Sequence, residues 1–264
     1  TFSLRDRMRY RFMMQLFGLR LDKRQFERDF GMSVERGLPV EMGFMRACGA
    51  FATDNADELT RCLLDAPVDL LCGSGIRQFT ERGDGLDMEK ELAKNYRFVR
   101  SIDRINDAKG KVVCIDERME AAAEEANLPL LAEATRAAID KLQERGDGGF
   151  FLMVEGAKID YAGHSRCLPG SVIEMLSFDM AVAEALKFAD SNGETLVVVT
   201  ADHETGGLVL VDGDERTGRV MGVYVSDDHT PAMLPVFAYG PGADKFCGTY
   251  MNTEIARRIK SLIK

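Results

Sequence analysis

Two stretches of this sequence set acids and imidazoles directly after apolar runs: FFLMVEGAKIDYAGHS from Phe150 and TLVVVTADHETGG from Thr195. The first run leads into Glu155, Asp160 and His164, the second into Asp202 and His203. His229 follows in SDDHTPAML, so these stretches hold all three histidines of the chain. Aspartate and histidine offer compact oxygen and nitrogen ligands of the kind zinc takes, usually four at a time. Asp160 and His164 are four residues apart, a spacing that one helical turn puts on a single face. His229 can join them from another loop as a third ligand, leaving the open position that a catalytic zinc needs. Each residue also has an ordinary reading, because an Asp or His at a strand end serves equally as a cap or a hydrogen-bonded core group. Glu204 and Thr205 read as loop-shaping or ligand-supporting groups. Asp227 and Asp228 either orient His229 or form a solvated turn. Gly156, Gly163, Gly206 and Gly207 permit tight turns and close backbone approach.

These groups need rigid elements to hold them. PVDLLCGSG, YRFVR, KVVCI, GFFLMV, TLVVVTA and LPVFAYG read as short strands, several of them buried on both faces by their continuous apolarity. Residues 87–95, Leu130 to Arg145, Val172 to Ala189 and Thr253 to Ile263 read as helices, with Ile173, Leu176, Val182, Leu186 and Phe188 as the apolar positions of the third. Strands alternating with helices predict an α/β layered fold around a mostly parallel sheet. In such sheets ligands bind in the crevice beyond the carboxyl ends of the strands, where both acid-and-imidazole groups fall.

A length of 264 residues allows one large domain, or one with an appendage. The net charge of −9 argues against nucleic acid as a partner, since phosphate backbones select basic surfaces. That charge is uneven, with residues 1–50 at +4 and the remainder at −13. The six cysteines form no C-x-x-C pair, which argues against a zinc knuckle and for buried free thiols. No run approaches the ~20 apolar residues of a membrane span, and the Arg-rich start lacks the apolar core of a signal peptide. Residues 1–60 read as amphipathic helices, with Met8, Phe12, Leu16 and Leu19 at helical spacing.

The blocks E-G-x-x-I-D-x-x-G-H, T-A-D-H-E-T-G-G and D-H-T followed by PVFAYGPGA closely resemble those of the alkaline phosphatases. The resemblance covers residues 61–264 and implies a three-layer α/β/α fold whose sheet is incomplete here. Residue by residue, it implies that Asp160, His164 and His229 bind a first zinc. Asp202 and His203 match two ligands of a second zinc, and Glu155 matches a ligand of a magnesium. It further implies phosphomonoester substrates and a periplasmic or extracellular address, and it allows a homodimer. The family's nucleophilic serine, its phosphate-gripping arginine, an aspartate shared by the second zinc and the magnesium, and a magnesium-binding threonine have no matching positions. The expectation is therefore a chain of phosphatase descent that binds about one zinc per molecule and has negligible turnover by itself. The alternative is a non-catalytic zinc-binding or interaction module. In residues 1–60, FMMQLFGLRLDKRQFERDFG and GAFATDNADELT resemble the C-terminal helical region of radical-SAM coproporphyrinogen-oxidase-like proteins. That similarity includes none of the cluster-binding cysteines, and it marks residues 1–60 as a helical appendage of different origin.

Overall fold

The computed structural model describes residues 27–28, 32, 60–64, 68–121, 128–144, 146 and 148–263. The helices expected in residues 1–60 lie outside these, apart from Glu27 and Arg28, which are helical. The chain forms two compact units, one of residues 1–68 with 77–95 and the other of residues 69–76 with 96–264.

In chain order the elements are β1 (Leu70–Gly73), α1 (Arg77–Thr80), α2 (Met88–Leu92), β2 (Arg97–Val99), β3 (Val112–Ile115), α3 (Leu130–Gln143), α4 (Lys158–His164) and α5 (Leu168–Asn192). There follow β4 (Val197–Val199), β5 (Glu204–Thr205), β6 (Val209–Asp214), β7 (Arg219–Val223), β8 (His229–Thr230), β9 (Phe237–Tyr239) and α6 (Thr253–Leu262). Of these, α1 and α2 belong to the first unit, where Phe79, Met88 and Leu92 are buried. Asp87 caps α2 by accepting from the Lys90 N–H, which satisfies a main-chain donor that the first helical turn leaves free.

In the second unit, β1, β3 and β2 form a parallel sheet with β3 at its centre. Parallel strands covered on both faces need apolar side chains throughout, and all four residues of β3 are buried. Helix α3 lays Leu130 and Ala134 against Ile102, Ile105 and Cys114, with Leu70, Cys72 and Val99 packed around them. Full burial of a side chain such as Ile105 contributes about 1.5–3 kcal/mol. Helix α5 packs on α3. It opens with Pro169 in its first turn, where the missing N–H costs nothing, and it stops at left-handed Gly193.

Three expectations from the sequence meet a different structure. The run GFFLMV joins no ladder, and Phe151 and Met153 are 59% and 53% exposed. A strand exists through main-chain hydrogen bonds to a neighbour, and among the described residues none pairs with residues 150–154. Parallel pairing is confined to β1–β3–β2, while β4–β9, β5–β8 and β6–β7 are separate antiparallel pairs. On α5, Ser177 and Ala181 are buried whereas Leu176 is exposed. Small side chains let α5 come close to α3, whose own buried face includes Ala134 and Ala138. No described helix is long and apolar enough to cross a membrane.

Candidate metal centre

Helix α4 carries Asp160 and His164 one turn apart, as their spacing predicts, and Asp160 Oδ1 lies 3.3 Å from His164 Nε2. The helix can sit close to β5 because Gly163 is bare. A Cβ there would stand 2.9 Å from Thr205 Cγ2. The short ladder of β5 and β8 pairs Thr205 with His229 and Glu204 with Thr230. Glu204 clamps this ladder, accepting from the N–H groups of Gly207 and Leu208 and from the Thr230 hydroxyl. Gly206, at φ +88°, turns the chain after β5, donates to Asp228 O and accepts from Val225 N and Ser226 N. Through these contacts the three histidine-bearing blocks, distant in sequence, meet on one surface.

His229 Nε2 lies 3.5 Å from Asp160 Oδ1 and 3.1 Å from His164 Nε2. The three donor atoms thus form a triangle with edges of 3.1–3.5 Å. Two ligands at zinc bond lengths of 2.0–2.1 Å, set at the tetrahedral angle, stand about 3.3 Å apart. The triangle therefore has the size of one face of a zinc tetrahedron. His164 donates from Nδ1 to the main-chain carbonyl of Asp227 at 2.7 Å, which leaves the Nε2 lone pair for a ligand. That hydrogen bond, followed by the charges of Asp160, Asp228 and Asp227, raises the imidazole pKa above 6.5.

Asp202 and His203 follow β4. His203 Nε2 is 3.2 Å from Asp202 Oδ2, again a separation suited to two ligands of one ion. The His203 ring stacks on that of His229, with centroids 3.5 Å apart and planes 18° from parallel. Asp160, His203 and His229 each bring a ligand atom within 4.8 Å of the others. Imidazole lone pairs lie in the ring plane, however, so two stacked rings aim past each other. Stacking therefore favours separate but adjacent ions for His203 and His229. Desolvation, then the charges of Asp202 and Asp160, push the Glu155 carboxyl above the usual range. A cation would relieve that repulsion, so the donor set fits metal.

The structure thus brings Asp160, His164 and His229 into one triangle, sets Asp202 against His203 beside it, and puts Glu155 in the field of both groups. Thr205 also enters the site, with its hydroxyl 2.5 Å from Asp160 Oδ1 and 3.1 Å from His203 Nδ1. The sequence reads Thr205 as loop-shaping or ligand-supporting, and the structure gives it the supporting contacts.

Comparison with known proteins places the chain in a family. The alkaline phosphatase family profile matches residues 48–222. The chain belongs to the alkaline phosphatase family. Its match begins at residue 48, inside the segment whose composition suggests a separate appendage. "Alkaline phosphatase 4" of Bacillus subtilis is 26% identical over 80% of this chain and 62% of that protein. Streptomycin-6-phosphate phosphatase of Streptomyces griseus is 38% identical over 49% of this chain and 34% of its own length. Among solved structures, a variant of the alkaline phosphatase of the Antarctic bacterium TAB5, with Mg bound in its M3 site, superposes with a TM-score of 0.71. It is 30% identical and covers 78% of this chain and 64% of its own. The chain thus spans less than two thirds of the length of these alkaline phosphatases. Its fold is the mixed helix-and-sheet arrangement of the family with incomplete sheets.

Proposed function

We propose that this chain carries the metal site of a phosphomonoester hydrolase. In this reading Asp160, His164 and His229 hold one zinc, Asp202 and His203 contribute to a second, and Glu155 contributes to a magnesium. The observation that carries it is the 3.1–3.5 Å triangle of donor atoms on α4 and β8. The chemistry supplied by such metals is Lewis-acid stabilisation of charge on the phosphoryl oxygens of an in-line displacement.

The protein groups have separable tasks. Asp227 O fixes the ring of His164 so that Nε2 faces Asp160. The β5–β8 ladder sets the height of His229, and the stacked His203 ring limits its rotation. Asp202 sits at 85% side-chain exposure, open to solvent and to substrate. Glu155 brings a hard oxygen donor, the type magnesium prefers.

Turnover needs an activated nucleophile beside the metals and a group that aligns the phosphate. No position of the present sequence matches the family's serine or phosphate-gripping arginine. The 264-residue polypeptide, assayed as such, is therefore expected to bind about one zinc and to hydrolyse an aryl phosphate negligibly. Zinc calorimetry beside an aryl phosphate assay tests both halves. Robust zinc-dependent turnover that His229→Ala abolishes would refute the inactive reading and support the site. A chain that binds no zinc would refute the site. The second reading, a zinc-bearing interaction module, draws on the exposed side chains of Phe151 and Met153, which suit a protein partner.

A further inference from the structure

We infer that the Thr205 hydroxyl is a positioning group that ties the two histidine–carboxylate sets together, fixing Asp160 in one and His203 in the other. The inference rests on the metal-site reading above and assigns a role to a residue that is itself no ligand.

Thr205 Oγ1 donates to Asp160 Oδ1 at 2.5 Å. A hydroxyl has one proton and an ionised carboxylate only accepts, so that proton is committed. His203 Nδ1 lies 3.1 Å from the same oxygen. With the hydroxyl proton already directed at Asp160, the remaining interaction requires Nδ1–H to donate and Oγ1 to accept. His203 is thereby held as the Nδ1–H tautomer, and its Nε2 lone pair faces Asp202 Oδ2 at 3.2 Å. One side chain sets the tautomer of an imidazole in one set and the rotation of a carboxylate in the other.

The chain runs His203 Nδ1–H to Thr205 Oγ1–H to Asp160 Oδ1, and hydrogen bonds arranged in this way polarise one another. A cation at His203 Nε2 would make Nδ1–H a stronger donor, and the hydroxyl would then donate more strongly to Asp160. Thr205 is held on two sides. It sits in β5, paired with His229, and its methyl group faces bare Gly163 on α4. Valine fits the same space without the hydroxyl, and serine keeps the hydroxyl without the methyl.

The test is a thermodynamic cycle read as zinc affinity on the metal-free 264-residue chain, with cobalt(II) absorption as a second readout of ligand geometry. The variants are Thr205→Val, Thr205→Ser, His203→Phe (which keeps a ring stacked on His229) and the double variant Thr205→Val/His203→Phe. Outer-shell partners of metal ligands are typically worth about 10–100-fold in affinity. Thr205→Val should weaken zinc binding by about tenfold or more. His203→Phe removes a proposed ligand of the second ion as well as the donor to Thr205, so its loss should be at least as large, and adding Thr205→Val to it should cost less than Thr205→Val costs the wild type. Thr205→Ser should stay within a few-fold of wild type and keep its cobalt spectrum.

Wild-type affinity in Thr205→Val, effects that multiply in the double variant, or a Thr205→Ser as weak as Thr205→Val would each overturn the inference while leaving the metal site standing. If the unaltered chain bound no zinc, or bound it equally well after His229→Ala, the metal-site reading would fail and the Thr205 role with it.

Discussion

His164 Nδ1 donates to the main-chain carbonyl of Asp227 at 2.7 Å, so a backbone atom rather than a side chain sets the direction of this imidazole. The Asp227 carboxylate contributes only through its charge. Asp227→Ala should therefore leave zinc affinity within about threefold of wild type, the scale of an ordinary surface substitution. His164→Ala removes a donor of the triangle and should weaken binding by far more. Parallel zinc titrations of the two variants would show whether main chain or carboxylate orients the ring.

Gly163 is where α4 meets β5. A Cβ there would lie 2.9 Å from Thr205 Cγ2 and 3.1 Å from Thr205 O, and the carbonyl cannot rotate away. Gly163→Ala should push the helix that carries Asp160 and His164 off the strand, at a cost of about 1–3 kcal/mol. Zinc affinity should fall together with the midpoint of chemical unfolding. A variant with lower stability but unchanged affinity would mean that the site tolerates the shift.

Glu204 accepts three hydrogen bonds, from Gly207 N at 3.0 Å, Leu208 N at 3.2 Å and the Thr230 hydroxyl. Glu204→Ala strands two main-chain donors and a hydroxyl in a part-buried setting, where each loss typically costs about 1–3 kcal/mol. Thermal unfolding should shift down, and zinc affinity should fall because β8 carries His229 beside Thr230. Glu204→Gln keeps an acceptor oxygen and should recover part of both.

Asp116, which is outside the candidate ligand set, supplies a second source of pH dependence. Hydrogen bonds from the Arg118 side chain, then from the N–H groups of Ile102 and Arg118, hold its carboxyl below the usual 3.8. The folded pKa is depressed, so the stabilisation is present above pH 3.8 and is lost as the pH falls through the folded value. Asp116→Asn should destabilise the chain by about 1–3 kcal/mol at neutral pH, since Asp116 is only 2% exposed. The gap from wild type should narrow as the pH drops below 3.8. Urea unfolding at pH 7, 5 and 3 would measure it, and a constant gap would refute the assignment.

Local features were legible in the order of the amino acids. The four-residue spacing put Asp160 and His164 on one helical face, and the apolar periodicity located α3, α5 and α6, because a helix depends on contacts three and four residues away. The apolar runs of β1 and β3 were equally legible as short strands, β3 fully buried and β1 partly so. Strand pairing was not, because a ladder partner can come from anywhere in the chain, and apolarity reports burial without naming the neighbour. GFFLMV has the pattern of a strand and no ladder, while VLVDGD and RVMGV, absent from the strands read in the sequence, pair as the mostly exposed β6–β7 hairpin. The ligand types were written in the three blocks. Which atoms face one another was decided in three dimensions by the β5–β8 register, by the space left at Gly163, and by a threonine whose one proton fixes both Asp160 and His203. Thr205 and Asp160 are 45 residues apart, and no periodicity connects positions at that distance.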